Sequence, residues 1–259
     1  MLSELAKTLD NALLEAREIE RLTVKVPDLA LADAYRIQDA GIKFRLDRGE
    51  KLVGLKMGLT SKAKRDQMNL DSPIYGVLTD KMQVSDGSIF SLKAKIHPKI
   101  EPEIAFVMAR ELRGNVTPEQ ALAACSGICA AMEILDSRFV GFKYFSLPDV
   151  VADNSSSAYF VLGRELHKPA DFDLQSLANL EMVMEVDGKQ VQTAPSSAIS
   201  GNPVNSIVQL CELLGARGLA LPAGSIVLAG AATQAVQMAA GMKVRLKVQR
   251  LGEVSIGVE

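Results

Sequence analysis

The residues best suited to chemistry are two glutamates spaced two apart in an apolar run, Lys99-Ile-Glu-Pro-Glu-Ile-Ala-Phe-Val-Met108. Side chains alternate between the faces of an extended chain, so Glu101 and Glu103 project from one face and Ala105 and Val107 follow them there. That face reads as buried. Two carboxylates close together in a poorly solvated place repel each other and are costly to ionise unless protons or a cation compensate. A hard divalent cation is the obvious compensation; a strand end that leaves both glutamates in water is the alternative that spacing alone keeps open. A third acid, Glu133, interrupts a second apolar run, Ala131-Met-Glu-Ile-Leu-Asp-Ser-Arg138. Three such carboxylates on an octahedral cation leave positions for water or a chelating substrate, provided that the fold brings them together.

The remaining composition narrows the chemistry. His97 and His167 are the only histidines, so a multi-histidine metal site is excluded and a Ser-His-Asp triad has few candidate bases. The three cysteines suit a reducing compartment better than a disulfide scaffold. Cys125 and Cys129, four apart in an Ala-rich segment, are expected to share a helical face and to serve packing. Oxygen ligands favour Mg²⁺ or Mn²⁺ over zinc. A net charge of −2 with mixed signs argues against nucleic-acid binding. The first residues lack the apolar core of a signal peptide and no apolar run is long enough to span a bilayer, so a cytoplasmic protein without membrane contact is expected.

The elements that must position these groups can be read in order. An amphipathic helix is expected from about Ser3, as N-cap, to Glu20, and a second from about Leu31 to Arg48, ending at Gly49. Thr23 to Pro27 reads as a connector between them. Lys51 to Thr60 reads as a strand ending near Gly58, with Lys56 where strand gives way to loop and a short polar helix following through Met68. Asp71 to Gly76 is turn chemistry, and Asp86-Gly87 signals another turn. Thr117-Pro118, with Gln120 completing a capping box, starts a helix expected to run to about Cys129. A polar knot, Val151 to Ser157, precedes a strand from Tyr159 to Leu162. Asp187-Gly188 joins a hairpin, Asn202-Pro203 opens a helix ending before Gly218, Ser225 to Leu228 is a short strand, and Met242 to Glu259 is a closing hairpin. The fold class is therefore α+β and hairpin-rich, with an N-terminal helical segment over residues 1–75 and a β-rich catalytic unit over 76–259.

Ile100-Glu-Pro-Glu-Ile-Ala-Phe106, Glu133-Ile-Leu-Asp-Ser-Arg138 and Val151-Ala-Asp-Asn-Ser-Ser156 resemble the core motifs of the fumarylacetoacetate hydrolase superfamily. Gly54-Leu-Lys-Met-Gly-Leu-Thr-Ser61, Pro73-Ile-Tyr-Gly-Val-Leu-Thr-Asp80 and His97-Pro-Lys99 are similar to its branch of 2-oxo-3-hexenedioate (4-oxalocrotonate) decarboxylases and 2-hydroxypenta-2,4-dienoate hydratases. The resemblance spans nearly the whole chain. It implies a mixed β-sheet roll of the fumarylacetoacetate hydrolase type, with Glu101, Glu103 and Glu133 as ligands of Mg²⁺ or Mn²⁺. Hydrolytic members carry a catalytic lysine about twenty residues beyond the third ligand, where this chain has Asp153; the lysine of the branch matches Lys56 instead.

What the resemblance implies about function follows from that site. The metal-chelated ketone of a small 2-oxo dicarboxylic acid can accept the electrons released as the distal carboxylate leaves, which makes decarboxylation of 2-oxo-3-hexenedioate the first expectation and hydration of 2-hydroxypenta-2,4-dienoate the second. Lys56 is expected in an electrostatic or acid/base role, and Asp80 is either a second proton-transfer group or a turn acid. Ser156, Thr233 and Arg138 are candidates to bind substrate, Thr233 together with the backbone of Gly230 to Gln234; the alternatives are a turn serine for Ser156 and pairing with acids on the Asp136 side for Arg138. His97 reads as a structural hydrogen-bonder. A homo-oligomer and an association with the sister hydratase are also implied.

Overall fold

The computed structural model describes residues 1–61, 72–142 and 146–259. The chain opens with helices α1 (Leu2–Leu14), α2 (Leu22–Lys25) and α3 (Leu31–Asp47). Ala6, Leu9 and Ala12 recur at helical spacing and form the buried stripe of α1. The helix starts one residue before the expected Ser3 cap and stops well before Glu20. Ala16 takes a left-handed φ of 50°, and Ile19 leaves the helix to exchange backbone hydrogen bonds with Arg138 and Val140. Pairing with a distant segment thus outweighs a helical period that continued on paper. The expected connector contains α2, and α3 ends where expected because Gly49, at φ 92°, turns the chain out of the helix.

The strands are β1 (Leu52–Gly58), β2 (Ile74–Thr79), β3 (Gln83–Val84), β4 (Ile89–Phe90), β5 (Lys99–Met108), β6 (Cys125–Leu135) and β7 (Ser157–Leu162), then β8 (Glu181–Val186), β9 (Lys189–Pro195), β10 (Ile226–Leu228), β11 (Val236–Gln237), β12 (Lys243–Val248) and β13 (Gly252–Val258). The larger sheet runs β2-β1-β10-β5-β6-β7-β3, with β11 also pairing β5; the smaller runs β4-β13-β12-β8-β9. Strand β1 therefore belongs to the sheet, and β2 runs across residue 75, so the expected division between residues 75 and 76 falls inside a strand. For the same reason the expected turn at Asp71 to Gly76 is extended from Ile74 onward. The short polar helix expected through Met68 lies outside the described residues.

The central pair is β5 with β6, antiparallel from Lys99 opposite Leu135 to Met108 opposite Cys125. Helix α4 (Pro118–Ala123) has the expected Thr117–Gln120 capping box but ends at Ala123, and Cys125 to Leu135 is one continuous strand. Alanine has the highest helix propensity of any residue, but propensity amounts to only a fraction of a kcal/mol per residue and the ladder with β5 overrides it. Cys125 and Cys129 are consequently strand residues. Both are buried free thiols, pushed up to about 12 by burial, which fits a packing role.

Ile100, Ile104 and Phe106 of β5 and Met132 and Ile134 of β6 pack into the main core with the helical layer. The opposite face carries Ala105, Cys129 and Ala131 into a second cluster with Leu78, Phe160 and Leu228. Glu103 and Glu133 extend this second face. Helix α5 (Leu147–Ala152) leads into the polar knot, where Asn154, Ser155 and Ser156 have φ of 50°, 53° and 57°. The β8–β9 hairpin turns at Asp187 and Gly188, both at positive φ as a type I′ turn requires. After helix α6 (Leu174–Ala178), helix α7 (Pro203–Gly215) is capped by the Asn202 side chain, which accepts the Val204 N–H at 3.0 Å.

Candidate metal centre and substrate cavity

Antiparallel register places Glu101 of β5 directly opposite Glu133 of β6, and Glu103 follows Glu101 by one pleat repeat. One carboxylate oxygen from each of the three lies within 4.8 Å of the others. Glu103 and Glu133 are fully buried and Glu101 is half-buried. Glu103 Oε2 accepts the Gly230 N–H at 2.8 Å, whereas its Oε1 is buried without a hydrogen-bond partner among the described residues. Burial, and then the charges of Glu133 and Glu101, push the Glu103 carboxyl well above the usual carboxylate range, against a smaller opposite pull from the Gly230 N–H and Lys56.

This is a donor set in want of a cation. Two oxygens on one Mg²⁺ are at most about 4.2 Å apart, so a small contraction of the trio would satisfy it. The Glu103 Oε1 is a ligand atom that no donor among the described residues claims, and all three donors are the hard oxygens that Mg²⁺ and Mn²⁺ prefer.

Neighbouring elements fix the orientation of the carboxylates. Ser157, at the start of β7, donates its hydroxyl to Glu133 Oε1 at 2.8 Å, and Lys56 Nζ donates to Glu133 Oε2 at 3.2 Å. Lys56 is only 3% exposed; it sits on β1 between Leu228 of β10 and Gly76 of β2. Two glycines make this packing feasible. A Cβ on Gly76 would lie 2.6 Å from Asn154 O and 3.3 Å from Lys56 Cε, and one on Gly230, at φ 108°, would meet Thr60 side-chain atoms at 2.5 Å. A cavity of about 570 Å³ opens over the site, lined among others by Lys56, Lys99, Glu101, Leu135, Ser155 and Gln234.

The other residues singled out in the sequence sit elsewhere. Asp80 lies beyond the far end of β2, where its Oδ1 accepts the Lys51 N–H at 2.8 Å; it acts as a turn acid, outside the cavity lining. Ser156 is buried, with its backbone bonded to Asp153 and Asp136, and it is the adjacent Ser155 that lines the cavity, its hydroxyl donating to Tyr75 O at 2.8 Å. Arg138 is buried against Asp153, with its Nε on Asp153 Oδ1 and its Nη2 on Asp153 O at 2.6 Å, so it faces away from the cavity. Burial raises the Asp153 carboxyl to about 6, with Arg138 pulling the other way. Thr233 turns to Gln192 of β9, which also donates to Gln234 O at 2.8 Å and so ties the Gly230 loop to the second sheet. His97 Nε2 lies 2.5 Å from Glu18 Oε1, a contact to the N-terminal segment in keeping with a structural role.

Three contributors escaped the sequence reading: Ser157, the cavity-lining Ser155, and Lys99. The first two lie within the motif already marked, and only the backbone path through the left-handed residues decides which hydroxyl points where. Lys99 carried a readable signal, because it shares the alternation of Glu101 and Glu103.

Residues 52–259 match the model of the fumarylacetoacetate (FAA) hydrolase C-terminal family. The chain belongs to that family. Among the family's curated members, it is 44% identical over 254 residues to a 4-oxalocrotonate decarboxylase of a Pseudomonas species, covering 98% of this chain and 96% of that one. It is 37% identical over 248 residues to a 2-hydroxyhexa-2,4-dienoate hydratase of Comamonas testosteroni, covering 95% and 92%. A solved structure of 4-oxalocrotonate decarboxylase from Pseudomonas putida G7, complexed with magnesium and adipate, superposes with a TM-score of 0.95 at 37% identity over 100% of this chain and 97% of that one. The expected roll with an N-terminal helical layer is thus the fold of this fumarylacetoacetate hydrolase family member.

Proposed function

We propose that the protein is a divalent-metal-dependent carboxy-lyase that converts 2-oxo-3-hexenedioate to 2-hydroxypenta-2,4-dienoate and CO₂. The observation that carries this reading is the buried Glu103 oxygen, without a hydrogen-bond partner among the described residues and grouped with Glu101 and Glu133, beneath a cavity that Glu101 and Lys56 line. The relatives named decarboxylase support the choice of reaction. Glu101, Glu103 and Glu133 would hold Mg²⁺ or Mn²⁺, and the ion, when bound, would supply Lewis acidity at the 2-oxo group.

The chain's own residues then have defined tasks. Breaking the C5–C6 bond releases neutral CO₂; the bonding pair becomes the C4=C5 double bond, the old C3=C4 pair moves to C2=C3, and charge collects on the C2 oxygen. Lys56 Nζ, buried beside Glu133, places a positive charge at the site and is the candidate to hand that oxygen its proton. Ser157 and the Gly230 N–H hold Glu133 and Glu103 in fixed orientations. The apolar walls, among them Ile74, Leu135, Leu147 and Val150, accommodate the carbon chain and keep water from it.

The test is to incubate purified protein with 2-oxo-3-hexenedioate and measure CO₂ with Mg²⁺ and after EDTA treatment. Metal-dependent CO₂ release is expected, and its absence overturns the decarboxylase reading. Conversion of 2-hydroxypenta-2,4-dienoate to 4-hydroxy-2-oxopentanoate under the same conditions would assign the sister hydratase reaction instead. The same family resemblance carries the proposals of a cytoplasmic location, a homo-oligomer and an association with the hydratase. Among the described residues no helix is long and apolar enough to cross a membrane, and size-exclusion and co-purification experiments test the assembly.

A further inference from the structure

We propose that Lys99 recognises the second carboxylate of a dicarboxylic substrate and so sets the length and charge of the acid that the cavity accepts. The proposal rests on reading the three carboxylates as the anchor for the 2-oxo acid end.

The geometry begins with the strand. Lys99, Glu101 and Glu103 share one face of β5, and two residues of strand advance about 7 Å. Lys99 therefore stands one repeat beyond Glu101 and two beyond Glu103, opposite Leu135 on β6, and both Lys99 and Leu135 line the cavity. An extended six-carbon diacid spans about 6 Å from C1 to C6 at ordinary carbon–carbon bond lengths. With its oxo-acid end at the carboxylate trio, its far carboxylate reaches the level of Leu135, within the sweep of a lysine side chain on the facing position. The stretch between is apolar, as the middle of such a diacid is.

The two lysines among the described lining residues are in different situations. Lys56 is committed to Glu133 at 3.2 Å. Lys99 has no carboxylate partner among the described residues; its Nζ stands over the Phe142 ring, 4.3 Å from the centroid. A ring face steadies an ammonium group without consuming its N–H donors, so the charge is held at the outer end of the cavity and left for an anion.

This contact belongs to binding more than to the chemical step. The carboxylate that Lys99 holds departs as neutral CO₂, so the ion pair is strongest before the bond breaks and is fading at the transition state. An interaction of that kind lowers KM without raising kcat. Lys99 is thus a specificity residue that separates diacids from the monocarboxylic dienoates.

The test uses Mg²⁺-loaded full-length protein and calorimetric titration with two probes, adipate and oxalate. Lys99→Met keeps the stem and removes the charge; Lys99→Arg restores it. We expect Lys99→Met to weaken adipate at least about tenfold, the scale of a hydrogen bond to a charged group, with oxalate unchanged and Lys99→Arg close to wild type. In turnover of 2-oxo-3-hexenedioate, KM should rise by about the same factor while kcat does not fall. Unchanged adipate affinity in Lys99→Met overturns the proposal, as does an equal loss of adipate and oxalate, which would mark a disturbed metal end. If wild type releases no CO₂ yet Lys99→Met still loses adipate selectively, the decarboxylase reading fails and diacid recognition by Lys99 stands.

Discussion

Replacing Glu103 by glutamine should strengthen the metal-free protein and cripple the metal-bound one. Glutamine keeps the size of the side chain and an oxygen that can accept the Gly230 N–H, which is now met at 2.8 Å. It removes a fully buried charge that burial, Glu133 and Glu101 oppose more strongly than the Gly230 N–H and Lys56 favour it, so the metal-free fold should lose no stability with it. Toward a dication the effect reverses. Removing one partner of a buried charge pair typically costs about 3–5 kcal/mol, so Mg²⁺ affinity should fall on the order of 10²–10⁴-fold. The assay is thermal unfolding with and without Mg²⁺, supported by calorimetric titration. Saturation at 100 times the dissociation constant is worth about 2.7 kcal/mol, which for a chain of this size is a shift of roughly 5–10 °C in Tm. Wild type should show that shift. Glu103→Gln should lose it, while melting no lower than wild type in EDTA. A variant that binds Mg²⁺ like wild type would remove Glu103 from the metal site, and one that melts several degrees lower in EDTA would show that the carboxylate supports the fold by itself.

Other outcomes follow from the same geometry. Lys56→Met should lower kcat by about 100-fold or more, the usual range for an acid/base group, while Mg²⁺ binds as well or more tightly because a positive charge 3.2 Å from a ligand oxygen is gone; lost metal affinity with retained kcat would contradict this. Gly76→Ala should destabilise by about 1–3 kcal/mol and reduce turnover, since the new methyl meets Asn154 O at 2.6 Å and crowds the Lys56 stem, as chemical denaturation and activity assays will show. Mg²⁺ binding should be linked to pH through Glu103. Its folded carboxyl lies above the ordinary value of 4.5, so its contribution to metal-free stability is full below that value and is lost as pH rises through the raised pKa. Mg²⁺ must displace that proton, so affinity and the Mg²⁺-induced Tm shift should both grow with pH through this range, with proton release seen by titration in buffers of different ionisation enthalpy.

Much of this architecture was legible from local patterns. The alternation of Lys99 to Met108 gave the central strand with its observed ends, Asp187-Gly188 gave the hairpin turn, and Gly49 gave the end of α3. The carboxylate pair was legible for the same reason, since strand alternation alone puts Glu101 and Glu103 on one face. What local pattern could not supply is partnership over long separations. Glu133 meets Lys56 from 77 residues away, Arg138 was drawn to Asp153 by a backbone path that sequence does not reveal, and the Ala-rich Cys125 segment became strand only because β5 lies beside it. Asp80 illustrates the opposite error. A motif match placed it near the chemistry, whereas β2 carries it past the end of the strand, four residues beyond Gly76, the residue that pairs with Lys56.

The left-handed run Asn154-Ser155-Ser156 also answers a problem of solubility. Strand β2 is the edge of the larger sheet, and edge strands offer unpaired backbone groups to any passing chain. Here the Asn154 amide bonds both Val77 N–H and Val77 O, at 2.8 and 2.9 Å, like one rung of a further strand. Ser155 and Gln38 both donate to Tyr75 O, and the Met82 sulfur receives the Thr79 N–H. The outward backbone groups of Val77 are therefore spent inside the molecule, and those of its neighbours largely so, by the segment that also shapes the cavity wall. Asn154→Ala should reopen this edge and raise concentration-dependent aggregation, measured by light scattering, even in protein that still binds Mg²⁺; a variant that stays monodisperse would show that the edge needs no guard. The chain has thus made its shield against self-association and part of the wall of its cavity from the same few residues.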